Sequence, residues 1–166
     1  FKDSVGASDI FTRPLGPGTG PRQFQHAGGE IIFNLPNGLQ AYMLTDSQGR
    51  RINEAPVTIV QDASRRDAVI VNGISCISCH NQGVNRKSDQ IHEYAEKNPS
   101  LYDSKDLESI LGLYRGNPKL SGAFDQDEAR FLKALNQGGI QSPKEGGVEP
   151  VRFLADRFEA VVDLKR

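Results

Sequence analysis

The sequence is poor in the residues that several common architectures need. Its 166 residues include no tryptophan, one methionine and two cysteines. Two cysteines are too few for a fold that is held together by several disulfides. Hydrophobic residues make up 37% of the chain, or about 47% with its 17 glycines, which is within the usual share of about 45–50% in globular proteins.

Long apolar runs and a strong net charge are also missing. The longest apolar run, residues 68–71, is far shorter than the roughly 20 residues of a membrane span, so we expect no span in this chain. The formal net charge of −1 provides no field that attracts nucleic acid or an anionic membrane. Because the chain opens at Phe1 without a start methionine and ends inside a helical pattern, we expect a fragment of a larger protein.

The first part of the chain changes from irregular to β-rich. Proline and glycine over residues 13–21 predict an irregular arm, residues 1–29, that wraps the surface. Residues 30–62 are predicted to form a β-hairpin region around the Asn37-Gly38 turn. Its strands are expected at residues 30–35 and 39–45, with a short third strand at residues 57–60.

Over residues 63–166 the hydrophobic pattern predicts a helical core. Cap and stop residues delimit the predicted helices. These helices run from Ser64 to Gly73, over residues 89–96 after a Ser88 cap, from Ser104 to Gly116, from an Asp125/Glu128 capping box to Gly138, and from Pro150 onward. The last helix places apolar side chains on one stripe, which contains Val151, Leu154, Ala155, Phe158 and Val162.

One motif carries chemistry. Residues 76–80, Cys-Ile-Ser-Cys-His, have the spacing of c-type haem attachment. A short turn of helix brings the thiols of Cys76 and Cys79 to neighbouring edges of the macrocycle, where each adds to a vinyl group. The adjacent His80 then projects its imidazole to the iron as the proximal ligand. The motif therefore predicts one covalently bound haem c.

Three other interpretations fit the same residues less well. With two cysteines and three histidines in a chain of this length, a Cys-x-x-Cys-His pattern rarely arises by chance. A structural zinc site needs four ligands, and the remaining His26 and His92 have no partner nearby in the sequence. A thioredoxin-like redox pair needs a βαβ context, which the pattern does not contain.

The sixth position of the iron has two candidate ligands. Met43, the only methionine, lies upstream of the motif on the predicted return strand, where hairpin pairing fixes its backbone. His26 is the main alternative, but the glycines beside it make ligation costly in chain entropy. His92 lies among carboxylates and is predicted to be a surface residue in local ion pairs. We expect Met43 as the distal ligand, with His26 or an open, water-bound iron as the alternatives.

Around these residues the chain resembles the monohaem cytochrome c segment of large secreted bacterial proteins. The similarity is carried by the run from His26 to Leu44, by Asn72-Gly73-Ile74-Ser75 and the motif itself, and by Glu149-Pro150-Val151 and Arg157-Phe158-Glu159. The resemblance implies a periplasmic, cell-surface or secreted location in a bacterium. The missing downstream methionine and the hairpin ahead of the motif depart from ordinary small cytochromes c.

Together these patterns predict a mainly α fold with a small β part. One domain is expected over residues 1–166, with a cytochrome c-like helical core around one haem, preceded by an N-terminal β-hairpin. The expected function is electron transfer to a redox partner protein by a six-coordinate iron, without catalysis. The alternatives are a haem-based sensor or interaction module of a multidomain protein, and a peroxidase-like haem enzyme with an open iron site. The oligomeric state is left open.

Overall fold

The computed structural model describes residues 10–58, 60–141 and 147–160. The chain divides into two compact units, and each draws on segments that are distant in sequence. The first unit contains the described residues up to Gly29, then residues 45–50 and 85–127; the second contains the rest. Helices are combined with small sheets, which confirms the predicted mixed fold.

The β-rich part of the chain forms a three-stranded and a two-stranded sheet. The first sheet contains β1 (Gly28–Asn34), β2 (Gln40–Asp46) and β3 (Arg51–Ile52), in that order. In the second sheet, β4 (Glu54–Ala55) pairs antiparallel with β5 (Ile70–Val71). The predicted hairpin is confirmed, with β1 and β2 as its strands.

The turn of this hairpin depends on the Asn37-Gly38 pair. The backbone N–H of Gly38 donates to the Leu35 carbonyl at 2.9 Å, and that of Leu39 donates to Asn37 Oδ1 at 3.1 Å. Gly38 has a φ of +86°, and a Cβ at this position would lie 3.2 Å from the Cβ of Ala134. Both the backbone conformation and the close packing therefore require glycine.

The strand predicted at residues 57–60 is wrong over its described part. Residues 57 and 58 belong to a turn, and the N–H of Val60 donates to the Pro56 carbonyl at 3.3 Å; Ile59 lies outside the described residues. A chain that closes such a local hydrogen bond does not offer the same groups to a neighbouring strand. The third strand of the sheet is instead β3, which follows β2 after a short turn.

The helix predicted from Ser64 to Gly73 is also wrong. The carboxylate of Asp62 accepts the N–H of Ser64 at 3.0 Å, and that of Asp67 accepts the N–H of Val69 at 3.1 Å. Side-chain turns of this kind compete with helix formation for the same backbone groups. The segment therefore forms turns and then β5.

The helices are α1 (Ile74–Cys79), α2 (Gln90–Lys97), α3 (Ser104–Leu113), α4 (Asn117–Gln137) and α5 (Pro150–Glu159), with a 3₁₀ turn at Pro99–Leu101. Helices α2, α3 and α5 occur where they were predicted. Asp89 and Asp103 cap α2 and α3, however, in place of the neighbouring serines. Within the described ranges, no helix combines the length and the apolar character needed to cross a membrane.

Helix α4 shows that the predicted capping box is wrong. Asp125 and Glu128 lie inside this continuous helix of 21 residues. The helix begins directly after Gly116, and Pro118 in its first turn needs no hydrogen-bond partner for its nitrogen. It ends near the predicted stop, where the N–H of Gly138 donates to the Ala134 carbonyl at 3.0 Å.

The first unit has a closed apolar core. Ala95, Tyr102 and Ile110 are buried at its centre. The partly buried residues around them are Leu15, Ile91, Leu107, Leu111 and Tyr114. The described part of the arm is irregular, as predicted, and it is fixed to this core, since the Tyr114 hydroxyl donates to the Pro14 carbonyl at 2.7 Å.

Helix α5, in the second unit, is turned in an unexpected way. Its predicted apolar stripe is exposed, with 46% of Val151, 63% of Leu154 and 92% of Phe158 accessible to solvent. The buried residue of this helix is instead Arg152. Val162, the last member of the predicted stripe, lies outside the described residues.

Candidate haem-attachment site

The Cys-x-x-Cys-His motif occupies α1 and the residue that ends it. The Ile77 N–H donates to the Gly73 carbonyl at 2.9 Å, and the His80 N–H donates to the Cys76 carbonyl at 2.9 Å. These bonds form one helical turn, as the motif predicts. Cys76 is half-buried and Cys79 is exposed, and both thiols are free. Two thiols one helical turn apart are placed for attachment to one group.

The orientation of His80 is set by a backbone carbonyl. Its Nδ1 lies 3.2 Å from the carbonyl oxygen of Gly83. Because a carbonyl only accepts, this contact requires the proton on Nδ1 and leaves the lone pair on Nε2. No described residue contacts that Nε2 within hydrogen-bond distance. Gly83 itself is buried and has a φ of +109°, a conformation that disfavours other residues.

Tyr42 on β2 is the aromatic neighbour of His80. The two ring centroids are 6.2 Å apart with an interplanar angle of 33°. The Tyr42 hydroxyl donates to Gln40 Oε1 at 3.3 Å. Burial, with smaller effects from Cys76 and Glu149, raises the pKa of Tyr42 to about 12. A phenol with this pKa stays protonated at neutral pH and serves as a hydrogen-bond donor.

The thiol of Cys76 has the opposite character to a reactive redox cysteine. Burial raises its pKa, and the negative charge of Glu30 adds to the effect. Redox-active cysteines need a lowered pKa, so this environment disfavours a thioredoxin-like role. A bare metal site is not built either, because the described residues contain no group of three or more histidine, cysteine or acidic side chains. The free thiols and the available His80 Nε2 fit a covalently attached haem.

The other candidate ligands lie in different places. Met43 is half-buried on β2, and successive side chains on a strand point to opposite faces. The contact of Tyr42 with His80 therefore directs the Met43 side chain to the other face of the strand. Its assignment as the distal ligand stays a prediction. His26 is half-buried in the arm, within the first unit.

His92 has both ring nitrogens occupied. Its Nδ1 hydrogen-bonds the Tyr114 carbonyl, and its Nε2 lies 3.3 Å from a carboxylate oxygen of Glu96. The predicted contact with a nearby carboxylate is present, but the His92 side chain is only 20% exposed, so it is not the surface residue that was predicted. These contacts leave His92 no free nitrogen for a metal.

A buried ion pair beside α1 was missed by the sequence analysis. Arg152 of α5 donates from Nη1 to Asp62 Oδ2 at 3.0 Å, and both side chains are only 7% exposed. The hydroxyl of Ser75, the buried residue of α1, lies near the Asp62 carboxylate and helps to lower its pKa. We refer to Asp62, Ser75 and Arg152 as the clamp. The apolar periodicity of α5 pointed to the opposite side of that helix, so only a structure could reveal these contacts.

The first unit contains a groove of about 870 Å³. Its lining is mainly apolar and includes Phe11, Ile91 and Leu120, together with Arg115 and Lys119. A groove of this size is within the range of small-molecule sites. The sequence carried no signal for it, because its walls come from the arm and three helices.

In comparisons with known proteins, the chain matches no protein-family model, no curated protein and no solved structure.

Proposed function

We propose that the chain is a monohaem c-type cytochrome that transfers electrons. The observation that carries this proposal is the geometry of the motif: two free thiols on one helical turn, followed by a histidine whose Nδ1 is held by the Gly83 carbonyl. Histidines that bind a metal through one ring nitrogen typically donate the N–H of the other nitrogen to a carbonyl or carboxylate.

The roles of the chain's own residues follow from this geometry. The Cys76 and Cys79 thiols would each add to a vinyl group, with a carbon–sulfur bond formed and the thiol hydrogen passed to the other vinyl carbon. His80 would donate its Nε2 lone pair to the iron, and Gly83 would hold the ring in the correct tautomer. When bound, haem supplies an iron that exchanges one electron between its ferrous and ferric states. The protein contributes orientation and exclusion of water.

Met43 remains the proposed distal ligand and His26 the alternative. A thioether opposite histidine favours reduced iron and raises the potential relative to two histidines. Ferric haem with a methionine ligand has a weak far-red absorption band that bis-histidine haem lacks. Substitution of Met43→Ala should abolish that band and lower the potential. If Met43→Ala leaves the spectrum unchanged and His26→Ala alters it, the iron has two histidine ligands.

Ligand-binding spectra test electron transfer against an open iron site. A closed six-coordinate iron resists carbon monoxide and cyanide, and we expect the purified haem protein to bind both slowly. Rapid binding of both ligands would instead support a peroxidase-like enzyme or a gas sensor. The matched control is Met43→Ala, in which the ligands should bind rapidly if Met43 occupies the sixth position.

The groove of the first unit favours a second candidate, a haem-bearing sensor or interaction module. Arg115 and Lys119 in its lining make no ion pair with any described residue. The apolar walls would hold the uncharged part of a ligand. An amphiphilic carboxylate such as decanoate is the matching probe. Saturable binding that weakens in Lys119→Gln, and that shifts the haem potential, would support the sensor; no binding would leave electron transfer as the better proposal.

The location and the partner are proposals as well. The resemblance supports a periplasmic, cell-surface or secreted position in a bacterium, and electron transfer implies a redox partner protein. Fractionation of bacterial cells that express the protein tests the location. Stopped-flow reduction by candidate donors from the same compartment tests the partner.

A further inference from the structure

The clamp centres on the buried guanidinium of Arg152. Besides its bond to Asp62, Arg152 donates from Nε to Asp156 at 2.7 Å and from Nη2 to the Ser64 carbonyl at 3.3 Å. Its backbone N–H donates to Glu149, the cap of α5, at 2.8 Å. The guanidinium therefore joins α5 to the loop that carries Asp62.

Asp62 continues this connection into α1. Burial alone would raise the pKa of Asp62, but hydrogen bonds from Ser64, Ser75 and Arg152 outweigh it and lower the pKa to about 2. The carboxylate is therefore charged at neutral pH. Ser75 also accepts the N–H of Val71 at 3.1 Å. The Ser75 side chain of α1 thus contacts the Asp62 carboxylate and is hydrogen-bonded to β5.

Ser75 is the buried residue of α1 and precedes Cys76 directly. Any movement of Ser75 changes the position of both thiols and of His80, because all of them lie on the same short helix. Helix α5 lies directly against α1, although its large apolar side chains are exposed to solvent. The clamp is therefore a specific attachment between these two helices.

Buried ion pairs are expensive to desolvate and are weak evidence for stability, although some are retained because they fix one arrangement of a structure. We infer that Arg152 is a positioning residue of the haem site, which holds α1, and with it the thiols and His80, against α5 through Asp62 and Ser75. This inference rests on the proposed haem attachment.

The experiment compares two arginines of one helix in the haem-loaded protein. Arg152→Met removes the clamp, and Arg157→Met removes an exposed arginine of α5 that makes no ion pair with a described residue. Cyanide reaches a six-coordinate ferric iron only through local opening. Breaking a buried ion pair by removing one partner is strongly destabilising, and each 1.4 kcal/mol lost from the free energy of local opening raises the opening equilibrium about 10-fold. We expect cyanide to bind Arg152→Met about 10-fold faster, with a shifted reduction potential, and Arg157→Met to match the wild type.

Two further variants keep the inference testable if Arg152→Met does not fold. Ser75→Ala retains the ion pair and removes the contact of Ser75 with Asp62 together with its hydrogen bond from the Val71 N–H, so it should also speed cyanide binding. Arg152→Lys retains the charge and should restore part of the wild-type rate. If Arg152→Met and Ser75→Ala lower only the unfolding midpoint and leave the cyanide rate and the potential unchanged, the role is structural and the inference is overturned. The intact mass of the wild-type protein separately reports whether haem is attached.

Discussion

The first and second units differ in how many large apolar side chains they leave exposed to solvent. The first unit packs Ala95, Tyr102 and Ile110 into a centre that is closed to solvent. In the second unit, large apolar side chains of β1 and α5 are exposed, among them Phe33 and Phe158. Within the described residues, the exposed large apolar side chains of the first unit are Leu101 and Leu113 alone.

The second unit also buries apolar side chains, namely Leu44, Phe131, Ala134 and Leu135, and it adds polar contacts beside the Cys-x-x-Cys-His motif. The clamp joins α5 to the loop before β5, and Arg65 adds an ion pair with Glu159 at 3.3 Å. Polar bonds of this type fix geometry but supply less net stability than a packed core. The comparison teaches that both units bury apolar side chains, whereas the second also exposes the apolar stripe of α5 and has a buried ion pair beside the motif.

The largest expected effect is the difference between substituting His80 of the second unit and His92 of the first. His80→Ala should remove the proximal ligand and convert the haem spectrum to that of a high-spin iron that binds carbon monoxide rapidly. His92→Ala should leave the spectrum unchanged, because both His92 nitrogens are bonded within the first unit. Optical titration with carbon monoxide measures both. A spectral change in His92→Ala with none in His80→Ala would reverse the assignment.

A pair of apolar substitutions tests the difference in packing. Ile110→Ala should cost about 2–5 kcal/mol of unfolding free energy, because it empties a fully buried position. Phe158→Ala should change stability by no more than about 0.5 kcal/mol in the haem-free chain, because its side chain is almost fully exposed. Urea unfolding followed by circular dichroism measures both. Equal costs would show that Ile110 and Phe158 do not differ in burial.

The pH dependence of stability in acid should distinguish the clamp from the apolar core. The pKa of Asp62 is lowered from 3.8 to about 2, so its charge stabilises the fold above about pH 4. That contribution should be lost as the pH falls from 4 to 2, where the carboxylate of the folded state takes up its proton. Asp62→Asn should flatten this part of the curve of unfolding midpoint against pH. An unaltered curve would contradict the role of Asp62.

The smallest expected effect is the ionisation of Tyr42. Its pKa of about 12 predicts phenolate absorbance that develops two pH units later than for an ordinary tyrosine of pKa 10.0. The favoured neutral form stabilises the fold below pH 10, and that contribution is lost as the pH rises toward 12. Tyr42→Phe should remove the late component of the ultraviolet titration. A late component that persists in this variant would assign it to another tyrosine.

Local signals predicted much of the secondary structure correctly. The Asn37-Gly38 turn, the stop at Gly138 and the start of α5 at Pro150 each depend on the residues at that position. The motif likewise predicted its own helical turn, because the chemistry of attachment and the spacing of the residues agree. These features need no information from distant parts of the chain.

The errors arose where side chains or distant contacts decide the structure. Asp62 and Asp67 bind nearby backbone groups and replace a predicted helix with turns. The clamp joins residues 90 positions apart, and apolar periodicity gave no indication that Arg152 is the buried side of α5. The position of Tyr42 beside His80 likewise depends on how β2 packs, which alternation along one strand does not determine.

The most direct test of the account is the intact mass of the denatured protein, purified from a host that can attach haem c. The account predicts a mass that exceeds the 18.2 kDa polypeptide by one haem, with the colour retained after acid-organic extraction. The double variant Cys76→Ala/Cys79→Ala should have the mass of its polypeptide alone. A wild-type mass equal to the bare polypeptide, or haem that passes into the organic phase, would contradict the central claim.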